Sequence, residues 1–534
     1  MDQYIKQIVE YGDSLFGKRE TLLSYWQEVA ENFYPERGHF TVRNYLGEEF
    51  AGNLSSSYPL LARRDLGNAL GSMLRPSAKQ WFHPIAQRAR VDLEGRRWLQ
   101  EAARIQREIM YERSGQFVKT TKEGDHDFAA FGQCALSVEL NRDRTGLLYR
   151  CWHLRDVAWC DDESGALEAV HRKWKPTAYQ LSRLFPGKLS PKVTEKLAKD
   201  PYCEINCRHI IVPADQYRGE KKFRAKFVSL QVDIDNLEVM EVVGVKVMPY
   251  VIPRWQTVSG SQYSYSPATV CAMPDARLIQ AVTYTLLEAG QKATNPPIIA
   301  TDNVVRGDVS LLPGGITWVD EAYDERMGAA LRPLMQDKNG LPFGLELRED
   351  VRRSITEAFY LNKLSLPPQG GPDMTAYEVG QRVQEFIRNT LPLFEPMEQN
   401  YNYALCDASF SLILNEGGFG PIPQSLSGSE VAFRFESPLS EAIEAHKAQV
   451  FMQAGPLLQQ AIALEPAAGL VVNAADALRD ALLGIGFPAK SLRSEEDVEA
   501  IQEMQTQRVE EQQRIADVAA TAAAAKDMAA AGAV

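Results

Sequence analysis

Cys203, Cys207 and His209 lie close enough in the chain to share a tetrahedral zinc ion, with Cys151, His153 or Cys160 as a possible fourth ligand. The same residues fall at period-two spacing between Cys203 and Val212, which suits an ordinary strand, and no second Cys-x2-Cys knuckle accompanies them. Asp161-Asp162-Glu163 is a carboxylate cluster that could attract a divalent cation, yet Ser164-Gly165 follows it, where a polar turn is expected. His126 stands between Asp125 and Asp127 without a nucleophile in view, so a hydrogen-bonded structural role is the plainer reading. Gly417-Gly418-Phe419-Gly420 is glycine-rich like a nucleotide loop but runs into Pro421 instead of a helix, and so predicts a turn. Gly187-Lys188 lacks the earlier glycine and the following hydroxyl of a phosphate loop. Neither His-Glu-x-x-His nor Gly-x-Ser-x-Gly occurs. These residues predict no catalytic residue, no metal and no cofactor.

The elements that carry them fall into distinct stretches. Tyr4, Ile8, Tyr11 and Leu15, then Leu22, Trp26 and Val29, then Leu60, Leu66, Leu70 and Met73 recur at helical spacing, so the first 130 or so residues predict helices. Runs such as Phe227 to Val232 and Val242 to Met248 predict strands, with turns at Asp143 to Gly146 and Asp233 to Asn236, which makes the middle α+β. Pro274 opens a helix with Leu278, Val282 and Leu286 on one stripe, ending before Asn295-Pro296-Pro297. Short strand-like pieces follow at Pro297 to Ile299, Gly315 to Val319 and Leu331 to Leu334, closing at the Gly340-Leu341-Pro342 turn. A second helix returns with Leu347, Val351, Ile355 and Phe359 on its stripe. After Lys363, the residues Leu364, Ser365, Leu366, Pro367, Pro368, Gln369, Gly370 and Gly371 predict an exposed loop, since the prolines and glycines exclude helix. Helix resumes from Thr375 to Leu414 with breaks at Pro392 and Pro396, and the chain ends in helices that include an alanine-rich run from Thr521 to Ala531.

At 534 residues the chain exceeds what a single core usually serves, and two to four packed units are expected. With 45% hydrophobic and 24% charged residues it has the composition of a folded protein. A net charge of -12 has the wrong sign for tight binding of nucleic acid over the whole surface, so any DNA contact is expected to be local or weak. Seven cysteines, an odd number widely scattered, suit reduced thiols and assembly in a cytoplasm. The N-terminus lacks the basic and apolar regions of a signal peptide, and no apolar run approaches the roughly 18 residues of a membrane span; the longest, Ala461 to Val472, contains Glu465 and Pro466.

Three segments together resemble the portal, or head-to-tail connector, family of short-tailed bacteriophages. Pro249 to Trp255, then Tyr263 to Ala268, then Ala272 to Arg277 are similar to the family's proline/arginine/tryptophan strand, its turn, and its Pro-Asp-x-Arg start of the first stem helix. Met374-Thr375-Ala376-Tyr377-Glu378-Val379, with Arg382 and Glu385, resembles the Met-Thr-Ala-x-Glu-Val helix start. Ala69 to Phe82 matches the helix that ends in a leucine/arginine/proline turn before Trp-Phe. The chain departs from the family pattern at Ser264-Tyr265-Ser266-Pro267 and at Leu391-Pro392-Leu393, which bears on local loop conformation.

The resemblance implies a mainly helical α+β multidomain fold with wing, helical stem, small clip and helical crown, closing into a cyclic ring of usually about twelve copies. On this chain the wing is expected at 1–267, the first stem helix at 268–293, the clip at 294–344 and the second stem helix at 345–362. A tunnel loop at 363–372, a long kinked helix returning to the wing at 373–427 and a crown at 428–534 complete the expected division. The family role is structural: a channel at one capsid vertex for packaging and ejecting double-stranded DNA. Its implied partners are DNA, the terminase packaging motor, tail adaptors, and major capsid and scaffolding proteins, at the virion's head–tail junction and without a membrane. Two other readings are a cytosolic multidomain metalloenzyme built on Asp161, Asp162 or the Cys203/Cys207/His209 group, and a ring-forming scaffold that conducts no DNA.

Overall fold

The computed structural model describes residues 2–294 apart from short gaps, the stretches Ile298–Ala300 and Leu331–Pro333, residues 340–364 and most of 397–435, with a few isolated positions elsewhere. The chain divides into two compact units, Met1–Thr375 with Glu385–Ser437, and Ala376–Gln384 with Pro438–Val534. The elements below belong to the first.

Helices α1 (Asp2–Lys18), α2 (Glu20–Phe33), α3 (Tyr58–Leu74), α4 (Leu93–Met110) and α5 (Phe117–Phe131) come first, and they are amphipathic. In α2 the buried residues Trp26, Val29, Ala30 and Phe33 follow a three-and-four spacing that puts them on one face. A strand, β1 (Phe82–Ala86), interrupts this helical region; it pairs antiparallel with β14 (Val431–Phe435). Local periodicity cannot reveal such a strand, because its partner lies far along the chain.

Strands β2 (Ala135–Leu140) and β3 (Leu147–Trp152) form a hairpin across Asn141 to Gly146, where Asn141 Oδ1 accepts from Thr145 N at 2.8 Å. Next come β4 (Val157–Asp161), β5 (Leu167–Trp174), helices α6 (Ala178–Leu184) and α7 (Pro191–Lys199), then β6 (Cys207–Pro213), β7 (Phe227–Asp233) and β8 (Glu238–Val245). Strands β4 to β8 form one five-stranded sheet in sequence order, all antiparallel. Strand β6 is buried on both faces: Ile210 meets Ile5 and Val9 of α1, whereas Ile211 joins the main core with Val157 and Val170. The short β9 (Tyr250–Val251) adds to β2, and β10 (Gln256–Thr257) pairs with β11 (Ser264–Tyr265).

Helix α8 (Pro267–Thr294) begins two turns before the predicted start, with Pro274 in its interior. Pro267 supplies the first-turn proline, and Ser266 Oγ accepts from Thr269 N at 3.4 Å. Strands β12 (Ile298–Ala300) and β13 (Leu331–Pro333) pair antiparallel, matching two of the predicted strand pieces; Gly315 to Val319 lies outside the described residues. Helix α9 (Gly340–Ala358) starts at Gly340, so the predicted Gly340-Leu341-Pro342 turn is its first turn, where a proline loses no hydrogen bond. A short α10 (Leu361–Leu364) follows, and α11 (Tyr403–Asn415) is entered through a π-helical turn, Glu398–Asn402. The rest of the predicted helix from Thr375, and the C-terminal helices, lie outside the described residues.

Candidate functional site

Helices α8 and α9 pack along each other and onto α2, α3 and α5. On α8 the buried stripe is Ala268, Ala272, Met273, Ala276 and Ile279, and its small side chains let the neighbouring helices approach closely. Val351, Ile355 and Phe359 are the buried stripe of α9, with Leu347 half-buried. Farther along, Leu286 fills the space over Gly344, where a Cβ would lie 2.6 Å from a Leu286 methyl carbon. Val282 is half-buried, and Leu278 is 41% exposed, on the side of α8 away from the core. The large apolar residues suggested a stripe through Leu278; the alanines define the one this subunit buries.

Polar contacts pin the pair to the N-terminal helices. Gln280 and the backbone of Ser56 exchange two hydrogen bonds, Ser56 N to Gln280 Oε1 at 2.8 Å and Gln280 Nε2 to Ser56 O at 2.9 Å. The hydroxyls of Tyr58 and Thr356 share a hydrogen bond of 2.5 Å, and Arg277 Nε donates to Glu28 at 2.8 Å. The guanidinium of Arg352 sits over the Tyr58 ring at 5.3 Å.

The chain leaves this packing through an irregular turn. Tyr360 has φ +57°, a left-handed conformation that a side chain rarely adopts. Its ring lies 6.4 Å from that of Trp255, which is stacked on Phe128 at 5.3 Å. The Lys363 ammonium is 5.7 Å from the Tyr360 ring centroid. Lys363 and Leu364 complete α10, so helix runs into the first residue of the predicted loop, ahead of the prolines that would end it; Ser365, Leu366, Pro367, Pro368, Gln369, Gly370 and Gly371 lie outside the described residues.

Beneath the paired helices lies a charge network that patterning did not disclose. Arg75, at the end of α3, is buried, ion-paired with Asp125, and donates to Asn402 Oδ1 at 2.7 Å; Asn402 Nδ2 donates in turn to Leu74 O at 3.3 Å. Two residues on, Asp127 takes a two-pronged contact from Arg37, at 2.9 and 2.8 Å. The alternation of acids around His126 was the available signal: successive side chains on α5 point to different partners. His126 itself packs against Gly67, and burial, followed by the Arg63 charge, pushes its imidazole down to about 4.

The residues first considered for chemistry take structural positions. His209 Nδ1 meets the Tyr250 hydroxyl at 2.7 Å and Nε2 meets Ser229 Oγ at 2.8 Å, so both ring nitrogens are engaged. Cys207 packs with Leu181 and Val193, apart from that pair of contacts. Asp161 is ion-paired with Arg254, while Asp162 Oδ1 accepts from Ser164 N and Ala166 N at 2.8 and 3.0 Å, closing a turn. Among the described residues no group of three histidine, cysteine or acidic side chains is placed to hold a metal ion. Gly417, at φ +76°, ends α11: Gly418 N donates to Ile413 O at 2.9 Å, so the glycine-rich run is a helix cap. No described helix is long and apolar enough to cross a membrane.

The family described as bacteriophage head to tail connecting protein matches residues 6–492 of this sequence, and the chain belongs to that family. It is a structural, non-enzymatic family, located at the head–tail junction of the virion. Among curated relatives, a probable portal protein of Bordetella phage BPP-1 is 24% identical, over 80% of this chain and 77% of its own length. The portal protein of Salmonella phage epsilon15 is 20% identical, over 83% and 79%. Solved structures that align include a chain from the neck of an empty gene transfer agent particle, at 13% identity and TM-score 0.37, covering 84% of this chain and 96% of that one. A chain from the virion of a native gene transfer agent particle aligns at 11% identity and TM-score 0.36, covering 75% and 86%.

Proposed function

We propose that this chain is the portal subunit of a phage capsid, forming a ring whose axial channel passes double-stranded DNA during packaging and ejection. The family match across residues 6–492 carries the reading. In this reading α8 and α9 are the stem, β12 and β13 belong to the clip that docks the packaging motor and tail, and residues 1–267 are the wing. The crown would occupy 428–534, and the long helix 373–427 would return the chain to the wing.

The physics of the chain is consistent with that role. A net charge of -12 disfavours tight phosphate binding, which would stall a sliding duplex. Residues 363–372 would project into the channel, where Lys363 offers one phosphate contact and Gln369 neutral hydrogen bonds; such contacts are weak, salt-sensitive and indifferent to base order. The test is deletion of Leu366 to Gly371 in an otherwise complete phage. Rings should still assemble while packaging or retention of full-length DNA falls; a deletion phage that packages and retains DNA like its parent removes the loop from the mechanism.

A further inference from the structure

A groove of about 770 Å³ lies where the β4–β5 turn, the start of β7, the end of β8, the segment Tyr250 to Ser261 and α11 meet; none of its described lining belongs to α8 or α9. One wall is the free side of β9, the edge of its three-stranded sheet. Val138 N donates to Pro249 O at 2.8 Å, and the register pairs Leu136 with Val251 and Ser137 with Tyr250. Antiparallel ladders alternate, so Pro249 and Val251 face β2 while the N–H and C=O groups of Tyr250 and Ile252 point the other way. Neither residue has a backbone partner on that side among the described residues. Their side chains belong to the main core, where the Tyr250 hydroxyl accepts from Arg172 Nε at 2.9 Å, so backbone is what they offer the groove. Backbone groups in buried positions are nearly always paired, and an open edge of this kind accepts an added strand. Pro249 and Pro253 bound the edge and keep it short.

Two lysines stand beside this edge. Phe227 is the register partner of Val245, so Lys226 and Lys246 are the next pair outward, across from each other, and both line the groove. Like charges so placed repel. Both are exposed and neither has an ion pair among the described residues; Lys246 Nζ donates to the neutral Asn415 Oδ1 at 3.0 Å. The groove also holds two acids. Asp161 is taken by Arg254, and burial pushes the Asp407 carboxyl above its ordinary range, against the pull of Lys226. The lining thus carries three cations and two acids, with the surplus at the two lysines.

We infer that this groove takes an extended acidic segment of a partner protein, which adds as a strand to the Tyr250–Ile252 edge and sets a carboxylate between Lys226 and Lys246. A nucleic acid can use the lysines but has no strand edge to pair with Tyr250 and Ile252, whereas a peptide uses both. The surface is separate from the paired long helices, and the inference does not depend on the ring reading.

The test titrates full-length protein against a short fluorescent peptide of alternating valine and glutamate, read by anisotropy. The controls are the valine–lysine counterpart and two forms of the acidic peptide N-methylated on the valine amides or on the glutamate amides. The acidic peptide should bind saturably, the basic one should not, and at least one methylated form should lose binding. Lys226→Glu with Lys246→Glu changes only exposed positions, so its thermal midpoint should match the parent, while its affinity for the acidic peptide should fall about tenfold. The same variant should gain binding of the basic peptide. Absence of saturable binding by the parent, binding that survives both methylations, or binding indifferent to the lysine substitutions would overturn the inference. So would a short DNA duplex that displaces the peptide and is itself lost with the lysines, which would make the groove a phosphate site. Peptide binding by unassembled chains that is lost on assembly would equally overturn it, since a second copy would then fill the groove.

Discussion

Phe33 and Phe359 are both fully buried, with ring centroids 5.4 Å apart and ring planes inclined by 47°. This contact joins the end of α2 to the residue just beyond α9, where the chain turns at Tyr360. Truncating Phe359 to alanine should cost about 3–5 kcal/mol, through lost burial and the cavity left behind. Denaturant unfolding of unassembled chains measures it, and Leu278→Ala is the contrast: at a position exposed on the subunit it should leave unfolding within about 0.5 kcal/mol of the parent.

Arg75 and Asp125 should show the asymmetry of a buried ion pair. Arg75→Met alone leaves the Asp125 carboxylate buried without its cation and should destabilise by about 3–5 kcal/mol. The double variant Arg75→Met, Asp125→Leu should recover a large part of that loss. A double-mutant cycle by chemical denaturation reads both numbers, and additive losses would mean that the two groups act independently.

Gly132 caps α5 at φ +74°, and a Cβ there would lie 2.1 Å from the carbonyl carbon of Tyr265. Backbone cannot swing aside as a flexible side chain can, so Gly132→Ala should lower the thermal midpoint markedly or abolish soluble expression. Gly165, at φ +81° with open space around it, separates the two causes: Gly165→Ala meets conformational strain alone and should cost about 1 kcal/mol. Equal losses at the two positions would show that the Tyr265 contact contributes nothing.

His153 and His171 are held neutral by burial, which pushes each imidazole down from 6.5 to about 3, with nearby arginines adding to the effect. Between those values the unfolded chain binds more protons than the folded one. The contribution of these two histidines to stability should therefore be level above pH 6.5 and fall as the pH drops from about 6.5 toward 3. Replacing His171 by phenylalanine should flatten the slope of stability against pH in that window; an unchanged slope would show that His171 does not contribute to it.

The paired long helices, the α+β middle and the family resemblance were legible because they rest on local signals: apolar spacing, the Pro-Asp-x-Arg segment and the punctuation around Asn295 to Pro297. The buried stripe of α8 was less so, since Ala272 and Ala276 weigh little in a hydrophobic pattern beside Leu278. Strand β1 was missed because β14, which supplies its only ladder among the described residues, stands far along the chain. The Arg75–Asp125 and Arg37–Asp127 pairs join residues 50 and 90 positions apart, a distance at which no spacing rule operates. Tyr360 is the counterpart at the level of backbone: glycine marks left-handed turns in a sequence, and a tyrosine in that conformation gives no warning.

The central claim, a ring with an axial channel, is tested most directly by electron microscopy of the purified full-length protein viewed down its symmetry axis. The account predicts closed rings, of about twelve copies by family resemblance, around a lumen that admits a DNA duplex. Particles that remain monomeric, or rings whose centre is closed to a duplex in every class, would contradict it.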